Sequence, residues 1–280
     1  MGTCPIVVDK EKRSYILIRI LLVSFFLAPF AVGYFKGNFS EEKYLEIKVL
    51  DVGQGDAILI KTPNSRKILI DGGPRGDIVE KLPKDFPFFN CKMDVLLATH
   101  SHSDHITGLN SVLKMCAAPL FIINDIGQLE NVPDEDLRIT QGFSGDKFSL
   151  DGVNFYILWP PKGFSASDIN NLSIVVLMEY AGFKAVFSGD AESGILADVV
   201  TNDIDFLKSP HHGSYDADLE NLLLKAKPEV LAISVGKNSF GHPSSQVLGT
   251  ADSAGVKVFR TDKDGDIVVK VRADGKYEMK

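Results

Sequence analysis

The sequence is poor in cysteine and carries no excess of positive charge. Cys4, Cys91 and Cys116 are the only cysteines in 280 residues, too few for a disulfide scaffold and without a C-x-x-C pair for zinc or redox chemistry. Lys and Arg number 30 against 37 Asp and Glu, a formal charge of −7, which excludes a uniformly basic surface for nucleic acid or lipid. Any metal site must therefore use His and carboxylate ligands, and a phosphate-bearing substrate must be attracted locally.

One long hydrophobic run stands out, at residues 14–35. It carries a single charge, Arg19, near one end. A helix of 22 residues reaches roughly 33 Å, enough for a hydrocarbon core of about 30 Å. We therefore predict a transmembrane anchor, with a secretory signal cleaved near residues 31–33 or a buried helix as alternatives.

Positive charge near this run predicts its orientation. Lysines and arginines before the centre of the run outnumber those after it, so residues 1–13 are expected in the cytoplasm and residues 40–280 outside the cell. Residues 36–44 then form a linker and residues 45–280 one domain, because no repeat or low-complexity segment divides them. In such a location Cys91 and Cys116 either pair or remain two buried thiols.

Strand patterns dominate the region after the linker, and helical patterns follow several of them. Hairpins early and strand-helix units late predict an α/β fold of mixed sheets covered by helices. The predicted strands are 45–52, 56–61, 67–71, 93–99, 153–158, 172–180, 184–188, 205–208, 230–234 and 256–259, and the predicted helices are 106–113, 191–200, 217–225 and 245–254.

The chain's histidines all lie at predicted strand ends or in the loops beyond them. Three fall in His100-x-His102-x-Asp104-His105, directly after an apolar strand. Alternate residues of an extended segment project to one side, so His100 and His102 suit one ion while Asp104 and His105 face another. Imidazole and carboxylate are the ligands of zinc or a similar divalent metal. A solvated polar loop is the alternative.

Further candidate ligands follow later strands. Asp190 in Ser-Gly-Asp is either a bridging carboxylate between two cations or a helix N-cap. His211 and His212 follow the strand that ends at Lys208, and His242 lies in a Gly-His-Pro loop.

These motifs resemble those of the metallo-β-lactamase superfamily, above all H-x-H-x-D-H at 100–105 with Asp-Gly-Gly at 71–73 and Ser-Gly-Asp at 188–190. Four more blocks resemble its ComEC-like branch, the nuclease-like domain of competence channel proteins; they are VGQGDA at 52–57, NNLS at 170–173, HHGS at 211–214 and GHP at 241–243. The resemblance spans residues 45–275. It does not include a many-helix channel, so DNA import by this chain alone is not expected.

The resemblance implies a four-layer αβ/βα sandwich with two divalent metal ions, Zn²⁺ or Mn²⁺, at one edge of its sheets. His100 and His102 would hold the first ion, Asp104 and His105 the second, and Asp190 would bridge them. His242 matches a late ligand position. His211 or His212 matches a histidine near the scissile phosphate, although these two roles could be exchanged with that of His242. Asp104, His211 and His212 form the predicted catalytic set.

The sequence departs from the superfamily pattern at the first metal. Most members carry a third histidine in a G-H-T-x-G block, where this chain has residues 169–173 instead. Asn171 or Ser173 with water would complete that site, which shifts preference from zinc towards manganese or magnesium. Asp56 and Asp71 either orient metal ligands or make turn and cap hydrogen bonds.

The expected activity is metal-dependent hydrolysis of a phosphodiester, DNA outside the cell, with the membrane and a separate DNA-channel protein as partners. Lys162, Lys208 and Lys237 lie near the motif loops, where they meet phosphates or are simply solvated. The alternatives are a hydrolase of the same fold acting on a small ester or thioester, and a non-catalytic membrane-tethered module.

Overall fold

The computed structural model describes residues 43–82, 91–125 and 137–280. Residues Lys43–Lys280 belong to one compact unit. The predicted N-terminus, the anchor at 14–35 and nearly all of the linker lie outside the described residues, so they stay predictions. In the part of the chain that is described, no helix has the length and apolar character needed to cross a membrane.

The described ranges contain strands and short helices in alternation. The strands are Leu45–Val49 (β1), Ile58–Lys61 (β2), Lys67–Ile70 (β3), Cys91–Lys92 (β4), Val95–Leu97 (β5), Cys116–Ala117 (β6), Leu120–Ile122 (β7), Arg138–Thr140 (β8), Lys147–Leu150 (β9), Val153–Trp159 (β10), Val175–Tyr180 (β11), Phe183–Phe187 (β12), Phe206–Lys208 (β13), Val230–Ile233 (β14), Lys257–Arg260 (β15), Ile267–Val271 (β16) and Tyr277–Met279 (β17). The helices are Ile78–Lys81 (α1), Ser103–Met115 (α2), Ser193–Val199 (α3), Leu219–Ala226 (α4), Ser245–Ser253 (α5) and Thr261–Asp264 (α6).

Two mixed sheets form the centre of the fold. One has eight strands in the order β17-β16-β1-β2-β3-β5-β7-β8, and the other has seven in the order β15-β14-β13-β12-β11-β10-β9. Alternation explains β1, in which Leu45, Ile47 and Val49 are buried and the residues between them are half-buried. β13 and β14 are buried throughout, as parallel strands covered on both faces require.

Three apolar clusters show the layers. Ile47 and Ile60 of the eight-stranded sheet share one buried cluster with Phe155 and Phe187 of the seven-stranded sheet. A second cluster joins the outer face of the first sheet to α1 and α2, and a third joins the outer face of the second sheet to α3, α4 and α5. Helices therefore cover both outer faces, and the predicted αβ/βα sandwich is confirmed.

The strand directions bring several loops to one edge of the sandwich. β3 runs parallel to β5, and β12, β13 and β14 run parallel to one another. The carboxyl ends of parallel strands meet at one edge, and loops there are the usual location of functional sites. The residues within three positions after these strand ends include Asp71, His100, Asp190, His211 and Ser234.

A small two-stranded sheet joins two of the cysteines. β4 pairs with β6 in parallel, and Cys91 lies opposite Cys116. The two form a disulfide across 25 residues of sequence. Of the two states that the sequence left open, the structure has the disulfide.

Candidate metal centre

His100 and His102 place two ring nitrogens against one point. His100 follows β5, and His102 is the N-cap of α2. The Nε2 of His100 lies 3.0 Å from the Nδ1 of His102. The opposite nitrogen of His100, Nδ1, faces the Oγ1 of Thr99 at 3.1 Å and the Oγ of Ser173 at 3.3 Å. These hydroxyls orient the ring and leave its Nε2 available to a metal.

Asp104 and His105, in the first turn of α2, belong to a second group with His212 and Asp190. The Nε2 of His212 lies 3.3 Å from the Oδ2 of Asp104 and 3.5 Å from the Oδ2 of Asp190. The Nε2 of His105 lies 3.3 Å from the same Asp190 oxygen. Ligand atoms on one tetrahedral zinc, each at about 2.0–2.1 Å, are roughly 3.3 Å apart. The four side chains therefore match the dimensions of a single metal site.

Asp190 stands between the two groups. Its Oδ2 lies 3.3 Å from His105, 3.5 Å from His212 and 4.0 Å from His100. The backbone N–H of Asp190 donates to the Oγ of Ser173, which also contacts His100. One carboxylate thus faces histidines of both groups, an arrangement that suits a bridging ligand.

Asp71 fixes the ring of His105. The Nδ1 of His105 lies 2.8 Å from the Oδ2 of Asp71, which also accepts from the Oγ1 of Thr99 at 2.7 Å. A carboxylate on one ring nitrogen sets the tautomer that presents the other nitrogen to a metal. Asp71 has a left-handed backbone, with φ 58°, at the end of β3.

Asp56 and Ser234 fix the ring of His212 in a similar way. The Nδ1 of His212 donates to the carbonyl oxygen of Ser234 at 2.9 Å and lies 3.3 Å from the Oδ1 of Asp56. The Oγ of Ser234 donates in turn to the carbonyl oxygen of Gly55, beside Asp56. Asp56 and Asp71 therefore contact the ring nitrogens that face away from the ligand groups.

Lys208, for which the sequence left a phosphate contact or a solvated position open, is not solvated in the structure. It ends β13 and is fully buried. Its Nζ pairs with Asp56, donates to the carbonyl oxygen of Gly189 at 3.1 Å and lies 3.8 Å from the Oδ1 of Asp190. The one signal in the sequence was its position at the end of an apolar strand just before the His-His pair.

The carboxylates and histidines shift one another's pKa. Burial raises the pKa of Asp190, but His212 and His105 lower it more, so the net pKa is well below its usual range. Burial lowers the pKa of His212, but Asp190 and Asp56 outweigh this and raise it to about 9. Burial also lowers the pKa of His105, but Asp190 and Asp71 outweigh it, so this pKa lies well above its usual value. Without metal, protons on these rings balance the carboxylates.

Unpartnered buried atoms test whether a metal fits. Within the described ranges, the Nε2 atoms of His105 and His212 and the Oδ1 of Asp190 are buried without a hydrogen-bond partner. Buried polar atoms are rarely left unpaired in folded proteins. The first two are the nitrogens that face Asp190 across about 3.3 and 3.5 Å. Imidazole and carboxylate donors gathered in this way suit divalent cations such as Zn²⁺ or Mn²⁺.

The structure separates the roles of the three later histidines. His212 is buried and joins Asp104, His105 and Asp190. His242 belongs to none of the ligand groups found among the described residues; its ring packs against that of His211 at 5.6 Å between centroids. His212 therefore lies with the candidate ligands and His242 does not, which is one of the assignments that the sequence left open.

His211 lies at the mouth of the site. Its side chain is 39% exposed, and its Nε2 is 3.9 Å from the Oδ2 of Asp190. His211 and His212 both have left-handed backbones, with φ of 41° and 52°. Such conformations cost energy and are concentrated at functional sites. Here they turn two neighbouring rings differently, one to the ligand group and one to the mouth.

Residues 169–173 stand where most members of the superfamily carry the third histidine. Some of their side chains contact the rest of the fold and one contacts His100. Asn171 is tied to the fold, because its Oδ1 accepts from the backbone of Glu192 and its carbonyl oxygen accepts from the Nε1 of Trp159. Asn170 is buried, and its Oδ1 has no hydrogen-bond partner. Ser173 contacts His100 through its hydroxyl. Sequence reasoning named Asn171 and Ser173 but not Asn170, since neighbouring asparagines give no periodic signal.

A sequence model of the metallo-β-lactamase superfamily matches residues 50–237, more than half of the chain. The chain belongs to the metallo-β-lactamase superfamily. The metallo-β-lactamase fold protein YhfI of Bacillus subtilis superposes with a TM-score of 0.55 at 12% identity, over 81% of this chain and 99% of that one. This likeness concerns the fold alone.

Two curated relatives indicate which branch of the superfamily this chain resembles. ComE operon protein 3 of Bacillus subtilis is 28% identical over 252 residues, covering 79% of this chain and 32% of that protein. Recombination protein 2 of Haemophilus influenzae is 31% identical over 212 residues, covering 72% of this chain and 26% of that protein. The chain thus spans a third or less of these curated relatives. They support the ComEC-like branch of the superfamily that the motifs resemble.

Proposed function

We propose that this metallo-β-lactamase superfamily hydrolase cleaves phosphodiesters of DNA outside the cytoplasm with two divalent cations. The observation that carries the proposal is the pair of ligand groups that share Asp190. His100, with His102 beside it, forms one group with His105 and Asp190, and Asp104, His105 and His212 form the other. Divalent cations held there would supply water that ionises near neutral pH, at a pKa of about 7, and would offset the charge that develops on phosphate.

The chain's own residues hold and orient the reacting groups. Asp71 keeps the Nε2 of His105 turned towards Asp190, and Ser234 with Asp56 does so for His212. Fixed ligand rings keep the phosphate in one position, which lowers the entropic part of the barrier.

His211 is the proposed proton donor to the leaving oxygen. It is the half-exposed histidine at the mouth, within 3.9 Å of Asp190, and the His242 ring packs against it. His242 stays neutral near pH 7, because burial and the neighbouring rings of His211 and His212 lower its pKa. His211→Ala is expected to lower kcat by about 10²- to 10⁴-fold with metal still bound.

DNA is the proposed substrate because the relatives carry competence and recombination names. With a net charge of −7, the chain has no general attraction for DNA. The cations and exposed lysines near the site, Lys162 and Lys237, would supply it locally. A channel protein that delivers the strand is the proposed partner.

The proposed location rests on two features. The apolar run at 14–35 is long enough to anchor the chain, and its positive flank favours an external domain. The Cys91–Cys116 disulfide suits an oxidising compartment. Alkylation of unreduced cell extracts tests this proposal: both cysteines should resist the reagent until a reductant is added, whereas free thiols would contradict it.

The activity test uses the purified chain with labelled single- and double-stranded DNA and added Mn²⁺, Zn²⁺ or Mg²⁺. Cleavage should require metal and vanish in Asp104→Ala and His102→Ala. Asp252→Asn removes an exposed carboxylate of α5 and should leave the rate unchanged. Stoichiometric metal binding without cleavage of DNA or RNA would reject the nuclease and favour a small ester or a tethered module.

A further inference from the structure

A cavity of about 260 Å³ opens beside the metal ligand His100. Its lining residues follow β5, β7 and β8 of one sheet and β10 of the other, at the same edge as the metal centre. Small-molecule pockets usually measure about 300–1,000 Å³, so this one has room for a single flat ring system. Because His100 forms part of the wall, an occupant lies next to the site of reaction.

The cavity is largely apolar. Phe143, Phe164 and Pro160 line it, together with the apolar side chains of Ile169 and Leu172. Aromatic walls in a narrow cavity favour a planar ring, because offset-stacked rings bury much surface in a fixed geometry.

Ser101 gives the cavity an unused polar group. It lines the cavity, is 8% exposed, and its Oγ is buried without a hydrogen-bond partner. A buried hydroxyl without a partner costs free energy, which a ligand with a donor or acceptor would offset. Gln141 adds an amide to the same lining. The occupant therefore has both a flat face and polar edge atoms.

Charge argues against a phosphate inside the cavity. Among the described residues that line it, none is Lys or Arg, and Asp125 contributes a carboxylate. Phosphate sites in proteins are built from cations and backbone N–H groups. A neutral heteroaromatic ring fits this lining better than any anionic group.

The turn at Pro161–Phe164 places a lysine, Lys162, just outside the cavity. The N–H of Phe164 donates to the carbonyl oxygen of Pro161, and Gly163 has φ 80°, which this tight turn requires. Phe164 is 38% exposed. Its ring makes an edge-to-face contact with the ring of Trp159, with 4.4 Å between the ring centroids. Lys162, at the tip, is exposed.

We propose that the cavity binds one base of single-stranded DNA, stacked on Phe164, while Lys162 contacts a neighbouring phosphate of the same strand. The inference rests on the proposed function and adds strandedness to it. A paired base is stacked within its duplex and must be extracted before it enters a cavity, at a cost of a few kcal/mol. The metal centre would therefore receive single strands in preference to duplexes.

Trp159, the chain's one tryptophan, reports on the cavity without catalysis. The full chain, freed of metal by a chelator, is titrated with oligothymidylate and with an abasic oligomer of equal length and equal phosphate count. Oligothymidylate should change the Trp159 emission and bind more tightly, by roughly 5- to 150-fold, the range for one base stacked on an aromatic ring. Equal affinity for the two oligomers would overturn the inference.

Variants separate stacking from charge. Phe164→Leu keeps an apolar side chain and should remove the preference for oligothymidylate, whereas Phe164→Tyr should retain it. Lys162→Gln should weaken both oligomers by the same factor and reduce the salt dependence of binding. Leu224→Ala, at an exposed apolar residue of α4, is the control and should change neither. A Phe164→Leu chain that still prefers oligothymidylate would contradict the proposal.

Failure of this inference is distinct from failure of the proposed function. DNA cleavage with the same KM in Phe164→Leu as in the parent chain would leave the nuclease intact and reject the base-binding cavity. Base-dependent binding without any DNA cleavage in the metal-loaded chain would support the cavity and reject the hydrolysis.

Discussion

The buried Lys208 joins the two halves of the site. Its Nζ contacts Asp56 and lies 3.8 Å from Asp190, so one cation balances two carboxylates that face the candidate histidine ligands. Replacing one member of a buried ion pair leaves an uncompensated charge and costs about 3–5 kcal/mol.

Lys208→Met is expected to lower the free energy of unfolding of the metal-free chain by about 3–5 kcal/mol. Added Zn²⁺ should raise the melting temperature of this variant more than that of the parent, because a bound cation replaces the positive charge that Asp56 and Asp190 lose in the variant. Denaturant unfolding and thermal scans with and without metal measure both effects. Lys257→Met, at an exposed strand position, is the control. Equal unfolding free energies in the parent and Lys208→Met would contradict this role.

The raised pKa of His212 predicts how metal-free stability depends on pH. The folded pKa of about 9 lies above the ordinary 6.5. The contribution of this group is therefore fully present below pH 6.5 and is lost as the pH rises through about 9. The melting temperature of the metal-free chain should fall over this window, and less so in His212→Gln.

The same shift predicts proton release on metal binding. Ligation requires neutral imidazole, and His212 is protonated in the metal-free chain at pH 7 because its pKa is about 9. Calorimetric titration with Zn²⁺ in buffers of different ionisation enthalpy should show at least one proton released per chain. His212→Gln should release fewer, and a binding enthalpy independent of the buffer would contradict the assignment.

At the scale of elements, helix α2 holds Asp104 and His105 in a fixed position because it packs closely on the loop after β3. A Cβ added at Gly108 would lie 1.8 Å from the carbonyl oxygen of Gly72. The N–H of Gly72 donates to the carbonyl oxygen of His105, which fixes the helix against the loop.

Gly108→Ala should therefore destabilise the fold by about 3 kcal/mol, as overpacking does, although alanine favours helices. It should also weaken metal binding, because α2 must move. Gly249→Ala, in α5 with nothing near its added Cβ, is the matched control and should stabilise by about 0.5–1 kcal/mol. Chemical denaturation measures both variants, and equal effects in the two would refute the close-packing argument.

Local patterns predicted most of the strands and helices but not their long-range pairing. Apolar alternation indicated β1 to β3 and β10 to β14, within a few residues of the observed ends. The final strands β16 and β17 were missed, although β16 pairs with β1 across more than 200 residues of sequence. β4 and β6, with two residues each, are too short to show a period.

The site was predictable as a set of residues but not as an arrangement. The H-x-H-x-D-H spacing predicted His100 beside His102 and Asp104 beside His105, and the structure has both contacts, but it also brings His100 to His105 and Asp190. The positions of His212 and His242 depend on left-handed backbone turns, which apolar periodicity does not indicate. The burial of Lys208 depends on Asp56, about 150 residues earlier, and no local signal joins them.

At the scale of the whole molecule, the described domain combines a two-sheet core with one covalent cross-link. Cys91 and Cys116 close a loop of 25 residues at β4 and β6. In the loop-entropy account such a link contributes about 3.5 kcal/mol to stability.

Reduction of the purified chain should lower its melting temperature, because the unfolded chain regains the freedom that the link removes. The double variant Cys91→Ala, Cys116→Ala should melt at a similarly lowered temperature and show no further response to reductant. Thermal scans with and without dithiothreitol measure this, and an unchanged melting temperature in the reduced parent chain would contradict the contribution.

We propose that two cations sharing Asp190 enable this chain to hydrolyse DNA. The most direct measurement is a titration of the metal-depleted chain with Mn²⁺, in which bound metal and the rate of single-strand cleavage are followed together. We predict that cleavage rises to a plateau at two ions per chain, and that Asp190→Asn loses both the second equivalent and the activity. Two bound ions with no cleavage, or full cleavage in Asp190→Asn, would contradict it.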